Sequence, residues 1–133
     1  MFGVVVDSSV WIDFLSPYQN ETQHVKKMVQ LAFNKEILLC PTVYQEVLQG
    51  VREKKRFDQV KYILHRFPML AASFPYIEDI AIDLYRSLRM KGITIRKPND
   101  CLIAAYAIYY NVPVLSNDHD FELMFQHTAL QKY

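Results

Sequence analysis

The sequence predicts an α/β fold with a mostly parallel central sheet of four to five strands and helices on both faces. Three observations lead there. Val4-Val5-Val6 is an unbroken β-branched run with no polar side, as expected of a strand buried on both faces of a parallel sheet. Short apolar runs of this kind then alternate with longer segments of helical period along the chain. One of the helical segments, Cys101 to Ile108, is apolar all round and so belongs inside the fold.

At 133 residues the chain suits a single domain, 1–133, with one sizeable core. Hydrophobic residues make up 51% and charged residues 22%, a composition that excludes disorder. The 15 Lys+Arg nearly balance the 14 Asp+Glu, so attraction for an anionic partner has to come from where charges sit rather than from their sum. Cys40 and Cys101 lie in apolar surroundings and make neither a disulfide framework nor a metal-ligand spacing. No apolar run approaches the ~20 residues that span a bilayer, and the start of the chain has no basic segment ahead of a cleavable apolar one. A cytoplasmic protein with no membrane partner is expected.

Each element has a local cause. The first strand stops at Asp7, and Ser8 or Ser9 is placed to cap a short helix through Val10 to Leu15. Ser16-Pro17 ends it, because proline disfavours helix at the residue before it. A polar stretch, Tyr18 to Glu21, leads to a helix whose Val25, Met28, Val29, Leu31 and Ala32 recur at helical spacing. Ile37 to Cys40, bounded by charge and by Pro41, is the second buried strand. Thr42 to Gln45 fits a capping box and sets Glu46 in the second turn of a helix that stops near Gly50. The charged run Arg52 to Arg56 opens another helix, buried through Val60, Ile63, Leu64 and Phe67 and ended by Pro68. Met69 to Ala72 is a further strand candidate. Pro75 starts a long helix, Tyr76 to Met90, with Ile77, Ile80, Ala81, Leu84, Tyr85 and Leu88 as its buried stripe and Gly92 as its C-cap. A basic connector, Ile93 to Lys97, precedes Pro98-Asn99-Asp100 and the apolar helix, which Asn111 closes. Val112 to Leu115 is the next strand, and Phe125 to Leu130 a last edge strand.

The acids are more telling as a set than singly. Asp7 ends the first strand, Glu46 lies early in the helix after the second, Asp100 is in the first turn of the apolar helix, and Asp118 follows a later strand. Each alone has an ordinary explanation, Asp7 as a helix cap above all. In a parallel sheet all four places are at one end, where ligands of open α/β sheets bind. Carboxylates converging there repel one another unless something positive lies between them. Oxygen ligands without His or Cys partners select Mg²⁺ or Mn²⁺, ions that suit phosphodiester hydrolysis.

Asp7 with Ser8-Ser9, Glu46 in its helix, Asp100 followed by Leu102-Ile103-Ala104-Ala105, and Leu115-Ser116-Asn117-Asp118-His119-Asp120-Phe121 together resemble the PIN domain. Within that family the short VapC toxins of bacterial and archaeal toxin–antitoxin pairs look most similar. The resemblance covers essentially the whole chain. It implies a three-layer PIN-like fold and a Mg²⁺- or Mn²⁺-dependent endoribonuclease, silenced by a small antitoxin protein, usually homodimeric, and leaving 5′-phosphate and 3′-hydroxyl ends. Asp7, Glu46 and Asp100 fall on the family's three most regular acids and Asp118 on its more variable fourth. Ser116 falls on the hydroxyl position of the last motif, and Asp120-Phe121 on its closing pair. Ser9 is a supporting hydroxyl beside Asp7.

Other residues carry two readings each. Arg96 and Lys97 beside Asp100, or the Arg52 to Arg56 run, are either phosphate contacts for an RNA strand or solvated charge. Asp120 is either a fifth acid at the rim or a cap for the next helical turn, and either Asn117 or Asp118 faces the metal. His119 between two acids is either a proton-transfer group or a surface histidine. Asp13 is expected to point to solvent. Trp11, Phe14 and Leu15 are either core or part of a groove for a partner's helix. Tyr106, Tyr109 and Tyr110 suit packing, base stacking or a dimer surface.

Two other classes compete with the nuclease. A non-catalytic RNA- or protein-binding module of the same fold would be marked by a missing acid, and none of the four is missing. An aspartyl phosphatase wants a second acid two residues after the first, where this chain has Ser9. A receiver domain wants an acidic pair at the end of its first strand, which is absent.

Overall fold

The structure is a computed structural model that describes residues 2–17 and 21–133; of the polar stretch expected from Tyr18 to Glu21, residues 18–20 lie outside the described residues. The elements in order are β1 (Val4–Val6), α1 (Ser8–Leu15), α2 (Gln23–Phe33), β2 (Ile37–Leu38), α3 (Pro41–Gln49), α4 (Lys54–Leu64), α5 (Tyr76–Met90), α6 (Pro98–Tyr110), β3 (Val114–Leu115) and α7 (His119–His127). The α/β class read from the sequence is the one found. No helix among the described residues is long and apolar enough to cross a membrane.

The β-branched run of β1 takes the centre of the sheet, in the order β2-β1-β3. Both neighbours are parallel, with Val4 beside Ile37, Val5 beside Leu38 and Val114, and Val6 beside Leu115. All three β1 valines are buried, as a strand covered on both faces must be. Gly3 lets β1 come this close to β2: a Cβ there would lie 2.6 Å from the Leu38 side chain. Three strands, rather than the four to five expected, make the sheet. Met69 contributes a single parallel bridge to Leu39, after which the Tyr110 hydroxyl takes the Ala71 carbonyl and the ladder stops. The Phe125 to Leu130 segment is not an edge strand. Phe121, Met124 and Phe125 recur at helical spacing, so α7 runs on to His127, and the edge bridge comes later, between Val114 and Lys132.

Helix ends follow their residues with some corrections. Thr22 caps α2 by accepting from the Val25 amide at 3.1 Å. The expected Thr42 cap does not form: Pro41 takes the first helical position, where its missing N–H costs nothing, and Cys40 is the N-cap. Gly92 lies one residue past the C-cap of α5, at φ +80°, where the Ile93 amide reaches back to Leu88 and the Gly92 amide to Arg89. Asn111 ends α6 in the same left-handed way.

One hydrophobic cluster joins the sheet to the helices, α1 packing on α2 and α3, α3 on α4 and α6, and α5 on α6. Trp11 is fully buried against Phe14 and Phe67 with edge-on rings, so it is core and not part of a groove. Val29 departs from the expected stripe of α2 and is 49% exposed. α6 buries Ile103 through Ala107 as its composition requires. Because the strands are parallel, β1 and β3 deliver Asp7 and Ser116 to the same edge, where α6 also begins.

Candidate metal centre

Asp7 occupies the N-cap position of α1, so the expectation that Ser8 or Ser9 caps that helix is corrected. Its carbonyl accepts from the Val10 and Trp11 amides. Its carboxylate, 2% exposed, makes no capping bond to the helix and instead accepts from Ser9 Oγ at 2.6 Å and from Ser116 Oγ at 3.0 Å. Capping therefore does not account for this side chain. Burial raises its pKa above the ordinary carboxylate value; Ser9, Ser116 and the Ser8 amide pull it back, and Asp118 adds to the rise.

Asp100 is the third residue of α6, carried inward at the head of a helix that buries Cys101 and Ile103 to Ala107. Only 3% of it is exposed, and its Oδ2 is buried without a hydrogen-bond partner. Burial first, then the charges of Asp7, Asp118 and Glu46, push its pKa up to about 7, against a smaller downward pull from Lys97. An orphaned carboxylate oxygen deep in a fold is costly unless a cation or a proton joins it.

The last motif folds into a tight arrangement. Ser116 Oγ donates to Asp7 and accepts from the Asp118 amide at 3.0 Å, coupling β1 to the loop after β3. Asp118 is the N-cap of α7, its Oδ1 accepting from the Asp120 amide at 2.9 Å. Asp120 is thus not a cap but a buried acid in the first turn, whose Oδ2 accepts from Arg96 N at 3.0 Å and Arg96 Nε at 3.3 Å. Asp100, Asp118 and Asp120 bring one carboxylate oxygen each within 4.8 Å of one another. Asp7 lies outside that trio, yet lines the same cavity of about 260 Å³ as Asp100 and Asp118, together with Lys97.

Glu46 is half-buried on α3 and joins the group through Ser8, whose hydroxyl donates to its Oε1 at 3.1 Å and sits 3.5 Å from Asp7 Oδ1. Sequence reasoning missed Ser8 as this link, although a second hydroxyl beside Asp7 was its signal. It also missed Asp13, which does not point to solvent but lines the cavity and accepts from Asn117 Nδ2 at 2.7 Å. Asn117 lines the cavity as well, and Asp118 is the one of the two whose carboxylate lies with those of Asp100 and Asp120. His119 is exposed, and neither it nor any of residues 52–56 lines this cavity. Arg56 instead ties α4 to the end of α1 through the Leu15 carbonyl at 2.7 Å.

The donor set consists of carboxylates and hydroxyls with no His or Cys, and it includes the orphaned Asp100 oxygen. Those residues fit a hard divalent cation. The sequence model of the PIN domain matches residues 4–124. The chain belongs to the PIN-domain family.

Among PIN-domain relatives, the chain is 25% identical over 128 residues to the protein named VapC ribonuclease Mb1587 of Mycobacterium bovis, covering 96% of each. Among solved structures it is similar to VapBC2 from Rickettsia felis bound to a DNA fragment from its promoter, with a TM-score of 0.76 at 18% identity, covering 98% of this chain and 96% of that one. It is also similar to DNA-bound VapBC from Salmonella typhimurium, with a TM-score of 0.75 at 17% identity, covering 100% and 98%. The PIN fold expected from the four acid motifs is therefore the fold found.

Proposed function

We propose that this PIN domain is a divalent-metal-dependent endoribonuclease acting as the toxin of a VapBC-type pair, restrained by a small antitoxin and working as a homodimer. The observation that carries the reading is the buried, unpartnered Oδ2 of Asp100 among the carboxylates of Asp7, Glu46, Asp118 and Asp120. Similarity to a VapC ribonuclease and to VapBC assemblies supports both the substrate class and the antitoxin partner.

Asp7, Asp100 and Asp118 would hold the ion, Mg²⁺ or Mn²⁺, with Glu46 reaching it through a water or a second ion. When bound, the ion supplies charge neutralisation at the scissile phosphate and lowers the pKa of attacking water. The chain's residues provide the rest. Ser9 and Ser116 hold the Asp7 carboxylate in one orientation, and Ser8 does the same for Glu46. Holding them beforehand removes reorganisation from the reaction step. Asp120 acts from behind, fixing the Arg96 backbone and with it the connector that leads into Asp100. Lys97 at the cavity, and Arg96 once free of its acids, would take phosphates of the incoming RNA strand. Cleavage leaving 5′-phosphate and 3′-hydroxyl ends is the expected chemistry.

The test is purified protein on a mixed RNA substrate with Mn²⁺, with EDTA, and as Asp7→Asn or Asp100→Asn. Cleavage that stops with chelator and falls by orders of magnitude in both variants supports the reading. Full cleavage by Asp7→Asn removes it. Co-expression with a small DNA-binding protein encoded beside it tests the toxin role: growth arrest that the neighbour does not relieve argues against an antitoxin partner.

A further inference from the structure

Arg96 stands apart from every other cation of the chain. It follows buried Ile95 on the short connector into α6, and its guanidinium lies against two of the acid trio, Asp118 and Asp120. Nε is 3.3 Å from Asp120 Oδ2 and Nη2 is 3.5 Å from Asp118 Oδ1, while the side chain stays 68% exposed. The Arg96 backbone amide independently holds the same Asp120 oxygen at 3.0 Å. Asp120 is therefore oriented by the backbone, and what the side chain adds is chiefly charge.

We propose that Arg96 is an internal counter-cation of the acid cluster, paired with Asp118 and Asp120, which a divalent ion must displace from Asp118 before that carboxylate can hold it. The inference rests on the reading of these acids as a cation site and goes further, since it assigns the cluster an occupant in the ion-free chain. Asp118 Oδ1 already caps α7, so the guanidinium draws on an oxygen with one partner and satisfies two carboxylates at once. A positive group so close stabilises the cluster when no ion is present and repels one that arrives. Lys97 lacks this role: it lines the cavity beside Asp100, and among the described residues it forms no ion pair with an acid.

The experiment is Mn²⁺ binding by calorimetry to the full chain and to Arg96→Gln and Arg96→Lys, with melting temperatures in EDTA. Arg96→Gln is expected to bind Mn²⁺ roughly fivefold more tightly, the scale of one partly screened charge. It should also melt lower than the wild type without ion and gain more from Mn²⁺. Arg96→Lys, keeping the charge, is expected to stay within about twofold of the wild type. Equal or weaker Mn²⁺ binding by Arg96→Gln, with wild-type binding intact, overturns this inference and leaves the nuclease reading standing. No Mn²⁺ binding by any of the three overturns both. A measurement on the unaltered chain stands beside the variants: the Arg96 Nε–H resonance should lose its carboxylate-bonded shift as Mg²⁺ is added, and a shift unchanged at saturation overturns the inference.

Discussion

Replacing Asp100 by Asn should stabilise the ion-free protein, and by an amount that depends on pH in a defined way. Unfolded, the Asp100 carboxyl titrates near 3.8; in the fold, burial and the neighbouring acids move it to about 7. Between those values the native chain holds a proton that the unfolded chain has released. Its stabilising contribution is complete below 3.8, declines as pH rises, and is gone above about 7. Three units correspond to roughly 4 kcal/mol at 1.36 kcal/mol per unit. The cavity Asp100 lines opens to solvent, so screening reduces this to about 2 kcal/mol. Asn mimics the protonated acid and carries no such slope. In EDTA, Asp100→Asn should therefore melt roughly 8 °C above the wild type at pH 8, with the gap closing toward pH 4. Adding Mn²⁺ should raise the wild-type melting temperature by mass action and leave the variant unmoved. Urea or thermal melts at pH 4, 6 and 8 decide it. Asp100→Asn melting below the wild type at pH 8 without ion, or sharing its pH slope, would refute the account of a strained carboxylate cluster.

Four further outcomes follow from the same geometry. Asp118→Ala loses the α7 cap as well as a charge and should cost about 1 kcal/mol, whereas Asp118→Ser keeps a capping oxygen; only the second should melt like the wild type, and both should lose RNA cleavage. Ser116→Ala removes the hydroxyl that joins Asp7 to the Asp118 amide, so its Mn²⁺-dependent cleavage rate should drop about tenfold, with a stability loss near 1 kcal/mol by urea melt. Trp11→Ala should cost about 3–5 kcal/mol, enough to be read in any melt, while Trp11→Phe should cost far less because the buried indole N–H has no partner to lose. Gly92→Ala, forced to φ +80°, should destabilise α5 by about 1 kcal/mol, seen as a lower midpoint in urea with an unchanged slope.

The elements that the sequence revealed best are those whose signal is local. A valine triplet, a helix apolar on every side, a glycine past a helix end and a proline at a helix start each answer to their immediate neighbours. The expected strands at Met69 to Ala72 and Phe125 to Leu130 failed for a different reason. Hydropathy marks a segment as buried but does not say what its backbone pairs with, and here a tyrosine hydroxyl met the first segment and the last turn of α7 took the start of the second. The capping box at Thr42 failed because a proline one residue earlier is a stronger start.

The acids divide along the same line. Asp7, Glu46, Asp100 and Asp118 were legible because each follows a strand or lies in the first two turns of a helix, and parallel topology sends such places to one end of the sheet. Their distinct environments were not legible. Asp118 proved to cap α7 while Asp120 is buried against Arg96, Ser8 proved to link Glu46 with Asp7, and Asp13 was drawn to the cavity by Asn117. Sequence alone determined the class of fold and which side chains are chemically able to gather, since both follow from periodicity and residue type. Tertiary structure alone decided which oxygen is left unpaired, that of Asp100, and which acids Arg96 pairs with, Asp118 and Asp120. Those depend on distances of a few ångströms between residues as far apart as Asp7 and Ser116, and burial turns such distances into large differences in the energy of a charge.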